Sequence, residues 1–176
     1  MGRMGANLTR DLYHRGLDVA KFQTISTHNI ANCVMTLAVD TSEDEVCIVL
    51  TWSGAGTGTF SIQYQLPSNF QSFPGQPDDL SFNVKQTGDS GDGADVEVAV
   101  EVFDNYGANI SDGTLTSAVT SVASFVERDC AISNPDRDGN ICGGDHFTVE
   151  ITIAGTLENN DILIMTIPKI KYRALH

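Results

Sequence analysis

Four segments of this chain alternate apolar and polar residues with a period of two, which restricts them to half-buried β-strands. Phe60, Ile62, Tyr64 and Leu66 alternate with Thr59, Ser61, Gln63 and Gln65, and Leu80, Phe82 and Val84 alternate with Ser81, Asn83 and Lys85. Val96, Val98, Val100 and Val102 interleave with Glu97, Ala99, Glu101 and Phe103; Phe147, Val149, Ile151 and Ile153 interleave with Thr148, Glu150 and Thr152. A helix would scatter each set around its axis instead of gathering it on one side.

Three further runs, at 33–39, 46–52 and 162–170, are apolar on both faces and read as inner strands or strands covered by a partner. Residues 115–126 fit a helix about as well as a strand and are taken as a strand. Between these runs lies turn chemistry: Gly and Ser at 53–58, a Pro- and Asp-containing loop at 67–79, Gly and Asp at 87–93, and Glu-Asn-Asn-Asp at 158–161. The expected fold is all-β, an antiparallel two-sheet β-sandwich of jelly-roll type over residues 23–176, as one domain. Residues 1–22 stand apart as a basic N-terminal arm. Within it, residues 7–15 predict a short helix, with Asn7 as N-cap, Leu8 and Leu12 on a shared face and Gly16 as the stop.

Charge is segregated along the chain. Residues 22–168 hold 21 Asp and Glu against Lys85, Arg128 and Arg137, while Lys169, Lys171 and Arg173 close the sequence with no acid beside them. The net charge of −13 repels nucleic acid and anionic membrane surfaces, so a partner is expected to meet a tail or an uncharged face. No run approaches the 18 or more uncharged apolar residues of a membrane span, and the first twenty residues lack the apolar stretch of a secretory signal. Met1 as the native start would put synthesis in the cytosol.

The sharpest local motif is Asn134-Pro-Asp-Arg-Asp-Gly-Asn-Ile-Cys-Gly-Gly-Asp145. As a twelve-residue loop it offers side-chain oxygens at Asn134, Asp136 and Asp138, Gly139 for a sharp turn, the carbonyl of Asn140, and Asp145 at its end. The loop resembles the calcium loops of EF-hands and dockerins, and the resemblance implies Ca²⁺, with no other cofactor expected. Asn in first place, Asp for the final Glu and a strand after His146 depart from that pattern and lower the affinity to be expected. An Asp/Gly-rich surface turn is the alternative. Cys130 and Cys142 bracket most of the loop and are a candidate disulfide, worth about 3 kcal/mol for a loop of that length. Cys33 and Cys47 read as free thiols, because a turn at 40–45 makes opposed positions sum to about 85.

Catalytic constellations are missing from the sequence. Gly88-Asp-Ser-Gly91 resembles the segment around the nucleophile of chymotrypsin-like proteases but has no histidine motif to serve it. His14, His28, His146 and His176 show no metal-binding spacing. Paired carboxylates for glycoside hydrolysis are a tertiary matter, and a lone Trp with few Tyr argues against a sugar site.

Taken together, the small acidic β-domain, the basic arm and the lack of a catalytic set resemble, in style over the whole chain, the capsid decoration or cement proteins of tailed phages. That resemblance implies a non-enzymatic virion protein, made in the host cytoplasm, that binds the major capsid protein as a homo-oligomer, a trimer by expectation. Arg3, Leu8, Arg10, Leu12, Tyr13 and Arg15 would anchor the arm on the shell. The alternative is a secreted or surface carbohydrate-binding or adhesin β-sandwich with a calcium loop.

Overall fold

Thirteen strands and no helix make up the described residues of the computed structural model, which are 8–12, 25–27, 31–40, 44–87, 96–111, 115–119, 124–132, 141–155 and 158–174. In chain order the strands are β1 (Leu8–Leu12), β2 (Ile25–Thr27), β3 (Cys33–Asp40), β4 (Glu45–Trp52), β5 (Gly58–Gln65), β6 (Phe70–Ser72) and β7 (Leu80–Thr87). They continue with β8 (Val96–Phe103), β9 (Leu115–Val119), β10 (Val126–Cys130), β11 (His146–Gly155), β12 (Ile162–Thr166) and β13 (Lys169–Ala174). The larger sheet has eight strands in the order β1-β13-β7-β12-β4-β3, with β10 on β7 and β6 on β13; the smaller has five, β2-β5-β11-β8-β9. Every pairing is antiparallel, the arrangement in which sheets with one buried and one polar face commonly occur. The all-β sandwich read from the sequence is the fold.

The two sheets meet over the apolar half of each alternation. Phe60, Ile62, Tyr64, Val98, Val100, Val102, Val149, Ile151 and Ile153 from one side are buried with Ile48, Leu50, Trp52, Phe82, Val84, Leu163 and Met165 from the other. Tyr64 stacks on Phe147 with ring centroids 5.2 Å apart, and Phe73 meets Phe147 edge-on at 5.7 Å. The Tyr64 hydroxyl donates to the Pro168 carbonyl at 2.8 Å, tying the sheets together, and full burial drives its phenol far above the ordinary range.

Three expectations need correction. Residues 8–12, expected as part of a helix, form β1, which pairs with β13 from Leu8↔Ala174 to Leu12↔Ile170. A helix of nine residues is marginal by itself, whereas β13 offers a ladder of backbone partners. Second, the run 162–170 is two strands, because Pro168 has no N–H to donate; β12 takes Val84 to Thr87 of β7 and β13 takes Leu80 and Ser81 of the same strand. Third, 115–126 is not one strand: β9 lies beside β8 in the five-stranded sheet and the next strand, β10, beside β7 in the other.

The basic C-terminal segment is not a free tail either. Lys169 Nζ lies 2.9 Å from Glu45 Oε1, and Lys171 is ion-paired with Asp78. On the outer side of the larger sheet Cys47 and Thr166 are fully buried, and Lys85 pairs with Asp40 at 2.6 Å beneath the Phe125 ring. The hairpin of β3 and β4 has the expected register, Cys33 opposite Trp52 and Cys47 opposite Ala38, and both thiols are free.

Candidate functional site

Because Val98, Val100 and Val102 point into the core, the other half of β8 points out: Glu97, Ala99, Glu101 and Phe103. The same logic puts Thr59, Ser61, Gln63 and Gln65 of β5 and His146, Thr148, Glu150 and Thr152 of β11 on that outer face. Register aligns them in rows. Ser61, Glu150 and Glu101 form one; Gln63, Thr148 and Phe103 form the next; Thr59, Thr152 and Ala99 lie on the other side, with the two threonine hydroxyls 3.2 Å apart. The result is a field of hydroxyls, amides and carboxylates lined up across three central strands.

One end of this face carries an aromatic side chain on a locked turn. Beyond β8 the chain reverses through Asp104-Asn-Tyr-Gly-Ala and returns at Asn109, bridged to Phe103. Asp104 is buried, and its Oδ1 accepts the N–H groups of Tyr106 at 2.9 Å and Ala108 at 2.8 Å. Gly107 holds φ +84°, a value a side chain would strain, and donates to the Asp104 carbonyl at 3.1 Å. Tyr106 stands at the tip, 74% exposed. Asn109 then returns toward the carboxylates: its Nδ2 donates to Glu101 Oε1 at 2.9 Å, and its Oδ1 accepts Ser111 Oγ at 2.6 Å and Ser111 N at 3.0 Å. Glu101 is thereby fixed from one side, in the row that it shares with Glu150.

The residues singled out in the sequence fall elsewhere. Asn134, Asp136, Asp138 and Asn140 lie outside the described residues, as do Arg3, Tyr13 and Arg15. Asp145 uses its carboxylate on its own turn, where Oδ2 accepts Cys142 N at 2.8 Å while its N–H reaches the Cys142 carbonyl at 3.1 Å. Cys130 is buried and Cys142 exposed, and the expected disulfide between them is not formed. Burial and the nearby carboxylates of Asp129 and Asp79 push the Cys130 thiol up to about 11. Leu8, Arg10 and Leu12, expected to grip a capsid, are paired into the larger sheet through β1. Trp52, the single Trp, is buried and offers no platform.

A second polar cluster has a structural role. Asp79 is fully buried between the β6–β7 loop and the segment after β10, with Oδ2 accepting from Gly75 N at 2.7 Å, Gln76 N at 3.0 Å and Ile132 N at 3.3 Å. Its carbonyl takes Lys171 N at 2.7 Å. Desolvation raises its pKa despite those donors. Its neighbour Asp78 faces outward, and the hydrogen bond from Lys171 lowers its pKa.

Sequence reading missed Tyr106, Asp104 and Asn109. The signal was present, since Asp-Asn-Tyr-Gly directly after a valine ladder is turn chemistry with an aromatic at its tip.

No family model matches the chain, and no curated protein matches its sequence. Solved structures do match its fold. TmCBM61, solved with β-1,4-galactotriose, superposes with a TM-score of 0.56 at 11% identity, over 94% of this chain and 97% of that one. The CBM27-1 module of Caldicellulosiruptor saccharolyticus, solved with mannohexaose, gives 0.49 at 9% identity over 87% and 92%. The family 11 carbohydrate-binding module of Clostridium thermocellum, solved with a mixed-linked tetrasaccharide, gives 0.46 at 10% over 92% and 94%. The match to TmCBM61 overturns the capsid-decoration expectation: the solved fold that this one resembles is that of a carbohydrate-binding module, not of a phage decoration protein. The virion location, the capsid partner and the trimer fall with it.

Proposed function

We propose that this chain is a non-catalytic carbohydrate-binding module that lays a glycan across the outer face of its five-stranded sheet. The observation that carries this reading is Tyr106, an aromatic ring held 74% open to solvent on a hydrogen-bonded turn at the edge of an ordered polar face. A sugar ring offers a C–H face, which packs on an aromatic, and a rim of hydroxyls, which needs donors and acceptors at fixed spacing. Tyr106 and Phe103 answer the first need; Gln63, Thr148, Glu101, Glu150 and Asn109 answer the second. The likeness of fold to TmCBM61, over nearly the whole of both chains, supports the reading. Glu101 and Glu150 serve as hydrogen-bond acceptors, with no acid–base step asked of them. Such a module works outside the cell, where polymeric glycans are met.

The test is titration of the purified chain with a panel of soluble β-linked oligosaccharides, followed by calorimetry and affinity electrophoresis. Binding of at least one glycan, lost in Tyr106→Ala, is expected. Failure of every glycan to bind, or binding untouched by Tyr106→Ala, would overturn the proposal.

A further inference from the structure

Of the four large apolar side chains exposed among the described residues, three stand on one strand: Val34 (61% exposed), Leu37 (44%) and Val39 (56%) on β3, the fourth being Tyr106. β3 is an edge of the larger sheet, with β4 its one neighbour among the described residues. Val34 and Ala38 fall on one of its faces, and Met35, Leu37 and Val39 on the other. Backbone groups are presented there too. Ser53 N donates to the Asn32 carbonyl at 2.8 Å, while Trp52, opposite Cys33, turns its N–H to Asp161 and its carbonyl to Asn160, away from β3. Bonded pairs alternate along an antiparallel ladder, so Val34 and Ala38 bond to β4, and the N–H and C=O groups of Met35, Leu37 and Val39 point outward with no partner among the described residues.

An open edge is a template for another strand, and edges are commonly blunted by shortness, a bulge, Lys or Pro. β3 has none of these. Its eight residues keep unbroken register with β4 from Cys33↔Trp52 to Asp40↔Glu45, and they include no Lys, Arg or Pro. The other strands that end a sheet, β1, β2 and β9, have five, three and five residues. In a chain of net charge −13, the longest edge is thus uncharged from residue 33 to residue 39.

Charge selects the occupant. Directly after Val39 the sequence places Asp40, Glu43, Asp44 and Glu45. Lys85 pairs with Asp40 and Lys169 with Glu45, whereas Asp44 is exposed and has no ion pair among the described residues. A strand laid antiparallel along β3 brings its N-terminal end to these carboxylates, where Lys or Arg complements them. A second copy of this chain fits poorly: its β3 would bring residues 28–32, His-Asn-Ile-Ala-Asn, to that end with no Lys or Arg, and two bodies of charge −13 repel each other.

We propose that β3 receives an extended peptide segment of another protein, paired antiparallel through the backbone of Met35, Leu37 and Val39. The segment carries apolar or β-branched side chains along its length and Lys or Arg at its N-terminal end. This surface belongs to the larger sheet and is independent of the glycan face on the smaller one.

The probe is a synthetic peptide, Lys-Arg-Thr-Val-Thr-Val-Ser-Ile-Thr-Gly, labelled at its C-terminus and titrated by fluorescence anisotropy with the purified chain at concentrations where sedimentation shows a monomer. Saturable binding is expected. The same peptide N-methylated at the alternate residues that face β3 should bind at least about tenfold more weakly, because its main-chain donors are gone. A peptide headed by Glu-Asp should also bind more weakly, by a margin that shrinks in high salt. That margin should shrink too in Glu43→Gln/Asp44→Asn, in which Asn tolerates the left-handed backbone of Asp44 at φ +54°. By hydrogen exchange the amides of Met35, Leu37 and Val39 should gain protection on binding, while those of Val34 and Ala38, already bonded to β4, stay as they are. Absence of binding, equal affinity of the N-methylated peptide or equal affinity of the acid-headed peptide overturns the proposal. Protection of the three outward amides in the chain alone, through self-association, overturns it as well by making a second copy the occupant.

Discussion

Asp104 holds the backbone of Tyr106 in place, its Oδ1 accepting the Tyr106 N–H at 2.9 Å, so that a buried carboxylate fixes an exposed ring. Position and display are thus divided between two residues, and substitution can separate them. Tyr106→Ala removes the ring from an exposed site, and exposed substitutions commonly alter stability by no more than about 0.5 kcal/mol. Glycan affinity is expected to fall about tenfold or more with an unchanged melting temperature, and Tyr106→Phe should restore most of it. A melting temperature that falls together with the affinity would count against this division.

Asp104→Ala tests the other half. The N–H groups of Tyr106 and Ala108 lose their acceptor, at a cost of about 1–3 kcal/mol, and the turn loses its shape. Urea unfolding should show the destabilisation, and glycan affinity should fall although Asp104 is too buried to meet a ligand. Full affinity in this variant would mean the turn needs no such lock.

Asp78 and Asp79 respond to pH in opposite directions. Desolvation raises Asp79 above the ordinary value of 3.8, so its protonated form is favoured in the fold. Its contribution to stability is complete below 3.8 and is lost as pH rises through the folded value. Asp78, lowered by Lys171, contributes above 3.8 and loses that contribution as pH falls, by a small amount because its side chain is half exposed. In Asp79→Asn the amide oxygen can keep the three N–H donors while its NH₂ takes the place of Oδ1, which has no partner among the described residues. This variant should match or exceed the parent at pH 7 and lose its advantage as pH falls toward 3.8. Urea midpoints measured across that range check it; a constant difference between the two proteins would show that Asp79 does not titrate as argued.

Gln86 offers a gain in stability. Its side chain points between the sheets beside Leu163, is 1% exposed, and neither amide atom has a hydrogen-bond partner among the described residues. A buried polar group left unpaired costs about 1–3 kcal/mol, and Met has a similar length without that cost. Gln86→Met should therefore raise the urea midpoint, and a lowered midpoint would show that the amide is satisfied in solution.

The architecture was legible wherever a strand buries one side. The valines of β8 and the aromatics of β5 announce both their strand and its inner face, and the β3–β4 register followed from turn position alone. Strands escaped notice where tertiary pairing overrides local pattern. The sequence of β10, Val-Glu-Arg-Asp-Cys, alternates weakly, and it is a strand because the edge of β7 is there to receive it. Similarly, β1 pairs with a segment more than 150 positions away, a partner no local window includes. The candidate site was half visible. Glu101 and Glu150 could be read as outward residues, but that they face each other depends on β8 and β11 being neighbours. Tyr106 projects from a turn, where no apolar–polar alternation marks an aromatic as outward-facing.

The pairing of Leu8 with Ala174 brings positions from opposite ends of the sequence to about 5 Å. Engineered joins can exploit this closeness: the unit can be spliced into a surface loop of a host protein without prying that loop apart, or cut elsewhere and reconnected through a short linker across β1 and β13. Either construction leaves the opposite sheet, and whatever it holds, undisturbed.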